Sequence, residues 1–222
     1  MGAIVSRIPQ VTSNTDITPN WPAGPTAPQD SPNILIVLFD DVGFSDFGCY
    51  GSPISTPTID QLAVDGLRYT GFHTTAMCST TRAALLTGRN HHSTGVGCLA
   101  NFDSGYPGYR GKISRDAGTL AEILRPQGYR NYMVGKWHVT PLTESGPTGP
   151  FDGWPLGRGF DRFYGTIHGA GSFFDPNSLT RENTLITPLT DKEYQPKEFY
   201  YTDAINDHAA RYVKEHDGDQ PF

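Results

Sequence analysis

Apolar residues run almost unbroken from Asn33 to Phe39, over the length of a strand. A strand apolar on both faces predicts a central place in a sheet that is covered on each side. Between Pro57 and Gly66, Ile59, Leu62 and Ala63 fall at i, i+3 and i+4, with Gly66 as a stop, which predicts a short helix. Leu67 to Thr75 reads as a further strand. Ala83, Ala84, Leu85 and Leu86 predict a helix over 79–87, which Ser79 or Thr80 can cap and Gly88 ends. Leu120, Ile123 and Leu124 share one face of a helix over 119–127, with Pro126 late in it and Gly128 after it. Tyr129 to Val134 predicts a strand. A last helix spans 201–216, with Ala204, Ile205, His208, Ala209 and Val213 spaced to face a core. Leu99–Ser114 and Pro141–Arg158, rich in glycine and proline, are loops. Strands alternating with helices predict an α/β fold: a mixed, largely parallel central sheet flanked by helices on both faces.

Composition changes this picture at the N-terminus. Pro19, Pro22, Pro25, Pro28 and Pro32, among Ser, Thr and Asn, make residues 1–32 an extended arm and leave 33–222 as the folded part. The 222 residues suffice for one sizeable core. The net charge of -6, with no basic block, argues against a nucleic-acid partner. An anionic substrate would then need locally concentrated positive charge, for which Arg82, Arg89 and Lys136 are the candidates. No stretch approaches the ~20 apolar residues of a membrane span. No apolar stretch follows Arg7 as a secretory signal requires, and Cys49, Cys78 and Cys98 form no disulfide framework; both features point to the cytoplasm.

Three places carry candidate chemistry. Cys78 stands at the start of a predicted helix, where free N–H groups favour negative charge, and Arg82 lies one turn on along the same face. A nucleophile for an anionic substrate fits this setting, and so does a buried structural cysteine beside a surface arginine. Asp40 and Asp41 follow the apolar run, at the strand end where open α/β sheets bind ligands. Two adjacent carboxylates suit a hard cation, Ca²⁺ or Mg²⁺, or a solvated turn. Lys136 and His138, two apart beyond a strand, can place an ammonium and an imidazole over one face. His91-His92 lacks a third ligand, so it reads as structural, as do His73, His168, His208 and Cys98. Tyr106, Tyr109, Phe173 and Phe174 can line a pocket for an aromatic leaving group or simply pack.

Four segments, in order along the chain, resemble the type I sulfatases and especially the bacterial arylsulfatases. They are Asn33–Asp41 followed by Gly43; Cys78-Ser79-Thr80-Thr81-Arg82 with Leu86-Thr87-Gly88-Arg89; Gly135-Lys136-Trp137-His138; and Gly159-Phe160-Asp161-Arg162-Phe163-Tyr164-Gly165. Thr80 departs from the proline or alanine that this family usually carries there. The resemblance implies an alkaline-phosphatase-like fold of which this chain is the N-terminal part. It also implies hydrolysis of a small sulfate ester, an aryl ester by the closest likeness. The catalytic residues would be Cys78, Arg82, Lys136 and His138. Cys78 would be oxidised to formylglycine by the formylglycine-generating enzyme, and Asp40, Asp41 and the modified residue 78 would hold calcium, with Mg²⁺ the lesser candidate. In the family the hydrated aldehyde attacks sulfur, Lys136 and Arg82 bind its oxygens, and His138 takes a proton from the second hydroxyl. A phosphomonoesterase or phosphodiesterase of the same superfamily, or an inactive sulfatase-like fragment, are the alternatives.

Overall fold

The computed structural model describes residues 25–194, 198–216 and 218–222. Of the predicted arm, 1–24 lies outside the described residues. Residues 25–32 run extended apart from a turn in which the Ser31 N–H and hydroxyl both donate to Pro28 O.

Four strands form one mixed sheet in the order β1 (Tyr132–Lys136), β2 (Arg162–Thr166), β3 (Leu179–Arg181), β4 (Thr184–Leu185). β1 and β2 run parallel, with Met133 opposite Phe163, Val134 opposite Tyr164 and Lys136 opposite Thr166; β3 and β4 add antiparallel. The two-residue alternation of a strand sorts these side chains to two faces. Met133 and Phe163 join Val96, Trp137, Val139, Trp154 and Ile167 on one face, and Ala83 of helix α2 (Cys78–Thr87) packs there. Tyr132, Val134, Tyr164 and Leu179 join Tyr194 and Phe199 on the other, closed by Ala204 and Tyr212 of helix α4 (Tyr201–Lys214). Helices thus cover both faces, as the pattern predicts. In α4 the core position is Tyr212, and the predicted Val213 is exposed. Among the described residues no helix is long and apolar enough to cross a membrane.

Two further helices are short. α1 (Pro57–Asp65) begins on a proline as expected. α3 (Leu120–Leu124) opens on a capping box: the Glu122 N–H donates to Thr119 Oγ1, and the Thr119 N–H returns a bond to Glu122 Oε2. It tightens into a 3₁₀ turn over Arg125–Gln127, because Pro126 has no N–H to continue an α-helix.

Two expected strands do not form. Asn33–Phe39 is extended but exposed, with Leu35 75% accessible, and joins no strand of the sheet. Its backbone meets the rest of the chain where the Ile34 N–H donates to Phe222 O. Leu67–Thr75 is irregular, and exposed up to Thr74. Conversely, the Gly159–Gly165 landmark runs into β2, in the middle of the sheet. At Gly165 an added Cβ would lie 1.9 Å from Gly135 O, so this strand pair closes only with glycine there.

Candidate active site

α2 starts one residue earlier than its hydrophobic pattern suggests. Met77 is its N-cap and offers no side-chain cap, so Cys78 is the first helical residue. Ser79 and Thr80 do not cap it. Ser79 Oγ instead accepts from the Ala100 N–H at 3.0 Å, and Thr80 Oγ1 donates back to Met77 O at 2.8 Å. The first bond ties the opening turn of the helix to the loop at Ala100, and the second closes that turn on itself.

β1 ends at Lys136, and His138 has a positive φ of 54°. The lysine therefore reaches the site from the last residue of the strand and the histidine from the turn after it, so strand alternation does not bring the two together. His138 Nδ1 lies 3.1 Å from Cys78 Sγ, and its Nε2 lies 2.8 Å from Asn101 Oδ1. The ring lies flat over Gly169, where an added Cβ would come within 2.0 Å of Cε1. Burial first, and then the charges of Lys136 and Arg82, push His138 down to about 4, so the imidazole is neutral at pH 7.

Arg82 is buried, 8% exposed, and its Nη1 donates to Lys136 O. Its Nη2 reaches Asp40 Oδ1 at 3.5 Å, while Lys136 Nζ donates to Asp40 Oδ2 at 2.8 Å. Among the described residues Arg82 Nε is a buried donor without a hydrogen-bond partner. Partial burial pushes the Asp40 carboxyl up, but the hydrogen bond and charge of Lys136, with the charge of Arg82, outweigh it and hold Asp40 below the ordinary carboxylate range. Burial lowers Arg82 as well, and the Asp40 charge opposes that. Two cations and one carboxylate thus flank the Cys78–His138 pair.

The site therefore brings together Asp40, Cys78, Arg82, Lys136 and His138. Asp41 follows with a positive φ of 54° and exposed. Arg89 lies exposed beyond the far end of α2 from Cys78 and takes no part. His91 is occupied by Val96 O, 2.9 Å from its Nδ1. His168 is bonded through Nε2 to Ser145 Oγ at 2.7 Å, and His208 is buried in the core. Asn101 is the residue that sequence reasoning missed. It lies in a loop without periodicity, and only the fold sets it against His138. Tyr201 is also new: its hydroxyl lies 3.2 Å from Thr166 Oγ1, opposite Lys136 in the sheet, and burial pushes it up to about 12.

As donors for calcium, Asp40 and Asp41 are right in kind but too few. Both Asp40 oxygens already face cations, and among the described residues no group of three or more His, Cys, Asp or Glu side chains is arranged to hold a metal. Calcium takes ~6–8 oxygens. These residues alone do not make a calcium site.

Comparison with known proteins gives this constellation its setting. The chain is 35% identical over 214 residues to an uncharacterized sulfatase of Schizosaccharomyces pombe, covering 88% of this chain and 37% of that protein. It is 44% identical over 138 residues to human arylsulfatase A, covering 60% of this chain and 25% of the relative. To the arylsulfatase of Klebsiella aerogenes it is 29% identical over 201 residues, covering 88% and 42%. The structure of Ps i-CgsB in complex with k-i-k-neocarrahexaose superposes with a TM-score of 0.60 at 26% identity, over 86% of this chain and 43% of that one. The chain thus spans less than half the length of these relatives. The sulfatase family model matches residues 32–222, so this chain, which gathers a cysteine, two cations and a histidine at one site, belongs to the sulfatase family.

Proposed function

We propose that the protein carrying this chain hydrolyses small aryl sulfate esters to a phenol and sulfate, with Cys78 converted to formylglycine by the formylglycine-generating enzyme. The observation that carries this reading is the pair of cations, Arg82 and Lys136, beside residue 78. Arg82 holds a buried Nε free of partners among the described residues, which suits an oxyanion. The hydrated aldehyde would supply one hydroxyl oxygen to attack sulfur as the phenol leaves, and a second hydroxyl whose loss of a proton re-forms the aldehyde and expels sulfate. Lys136 and Arg82 bind the sulfate oxygens and hold the developing charge. His138, neutral and aimed at residue 78 through Nδ1, accepts a hydroxyl proton there. Asp40 and Asp41 would be the residues of this chain to hold a divalent cation, calcium before Mg²⁺, which would need further oxygen donors.

An aryl leaving group has support beside the site. The Tyr201 N–H donates to Phe173 O at 2.7 Å, and the exposed rings of Phe173 and Phe174 lie 5.9 and 5.5 Å from that of Tyr200. These rings can receive a flat apolar face.

Peptide mass spectrometry of the native protein tests the reading, together with turnover of matched aryl sulfate and aryl phosphate. An aldehyde at residue 78 and a preference for sulfate are expected, with Lys136→Ala lowering kcat by about 10²–10³. A quantitative free thiol in protein that turns over the sulfate ester would overturn the mechanism. Faster phosphate turnover would move the reading to a phosphoester hydrolase.

A further inference from the structure

We infer that Cys78, His138 and Asn101 form a cysteine–histidine–asparagine relay, and that the chain with its thiol intact accepts acyl groups from activated esters. The relay is continuous. Cys78 Sγ lies 3.1 Å from His138 Nδ1, and His138 Nε2 lies 2.8 Å from Asn101 Oδ1. An amide oxygen only accepts hydrogen bonds, so Nε2 carries the ring proton and Nδ1 turns its lone pair to the sulfur. A nucleophile within reach of a base, with the base oriented by a third group, is the arrangement that activates thiols. Asn101 touches no substrate atom and acts through the histidine, so it is a positioning residue.

Charge stabilisation is present as well. Cys78 is the first residue of α2, a helix of 10 residues whose N-cap bonds none of its first-turn N–H groups through a side chain. Those amides are donors for an oxygen gaining charge beside the sulfur. Arg82 adds fixed positive charge one turn along.

The chemistry balances without an oxidant or cofactor. Sγ attacks the acyl carbon of a phenyl ester while the S–H proton passes to Nδ1. The C–O bond breaks, the phenolate takes that proton from Nδ1, and phenol leaves S-acyl Cys78. Water then attacks the thioester, its proton passing through Nδ1 to the departing sulfur, to give a carboxylic acid and the thiol. Conversion to formylglycine would end this activity, so it belongs to the unconverted protein and stands independently of the sulfate-ester reading.

The test uses the protein expressed without the formylglycine-generating enzyme, with p-nitrophenyl acetate as probe and peptide mass as readout. Cys78 should gain an acetyl group at least about tenfold faster than Cys49 or Cys98. Asn101→Ala should slow Cys78 by about tenfold or more, Asn101→Asp, which keeps an oxygen acceptor, should restore most of the rate, and His138→Ala should remove the selectivity. An unchanged rate at Cys98 reports that each variant is folded. Equal acetylation of the three cysteines, or an undiminished rate at Cys78 in folded Asn101→Ala, would overturn the inference. Neither outcome bears on the aldehyde assay of the native protein.

Discussion

Residues 33–75 and 78–222 carry similar apolar patterns and meet opposite fates. Among the described residues none before Ser79 is buried, and all of the core lies from there on. The earlier region is held by polar bonds: the Cys49 N–H to Asp60 Oδ1 at 2.6 Å, Tyr50 OH to Tyr69 O at 2.8 Å, and Arg68 Nη1 to Cys49 O at 2.5 Å. The later region is held by two apolar layers on either side of β1 and β2. An apolar run is a demand for a neighbour, and burial follows only where the fold supplies one. At the candidate site Asp40 ties the two regions together through ion pairs to Lys136 and Arg82.

The later region is most directly weakened at its core. Phe163→Ala should cost about 3–5 kcal/mol in denaturant unfolding; a loss below 1 kcal/mol would show that the layer is loosely packed. Gly169→Ala is expected to cost about 1–3 kcal/mol by overpacking, because its methyl must displace the His138 ring. Acid should weaken an ion-pair cluster of the later region. The hydrogen bond from Arg211, and then the Arg181 charge, hold Glu193 down at about 2 against an ordinary 4.5. The unfolded chain therefore binds this proton first, so the stabilisation is complete above about pH 4.5 and is lost as pH falls toward 2. Glu193→Gln should flatten the stability profile in that window; an unaltered slope would discount the bond. The smallest effect belongs to the earlier region, where Leu35→Ser should stay within about 0.5 kcal/mol. A loss near 2 kcal/mol would mean that Leu35 is covered in the protein.

Local signals in the sequence locate α1, α2, α4 and β1 because residue propensity, apolar spacing and the Pro and Gly punctuation agree there, although the expected Ser79 and Thr80 cap of α2 does not form. The candidate site was legible as residue types at strand and helix ends: Cys78 and Arg82 on one helix, and Asp40, Lys136 and His138 each after an apolar run. The exposure of 33–39 was not legible, since periodicity records what a strand needs and not whether a partner is beside it. Asn101 and Tyr201 were hidden for a related reason. Each reaches the site across at least 35 residues of chain, Tyr201 through Thr166 and Asn101 through His138. The inner layer around Arg158 was hidden too, as an arginine at the end of a glycine- and proline-rich loop reads as surface. It is buried and donates to Ile113 O, Ala117 O and Glu122.

His138 is gripped at both nitrogens, and its flat side rests where residue 169 has no side chain. The ring has therefore surrendered its rotational freedom during folding, before any substrate arrives. Whatever leaves the side chain of residue 78 as a proton finds its acceptor already aligned, and the entropy of aligning it is not charged to the reaction.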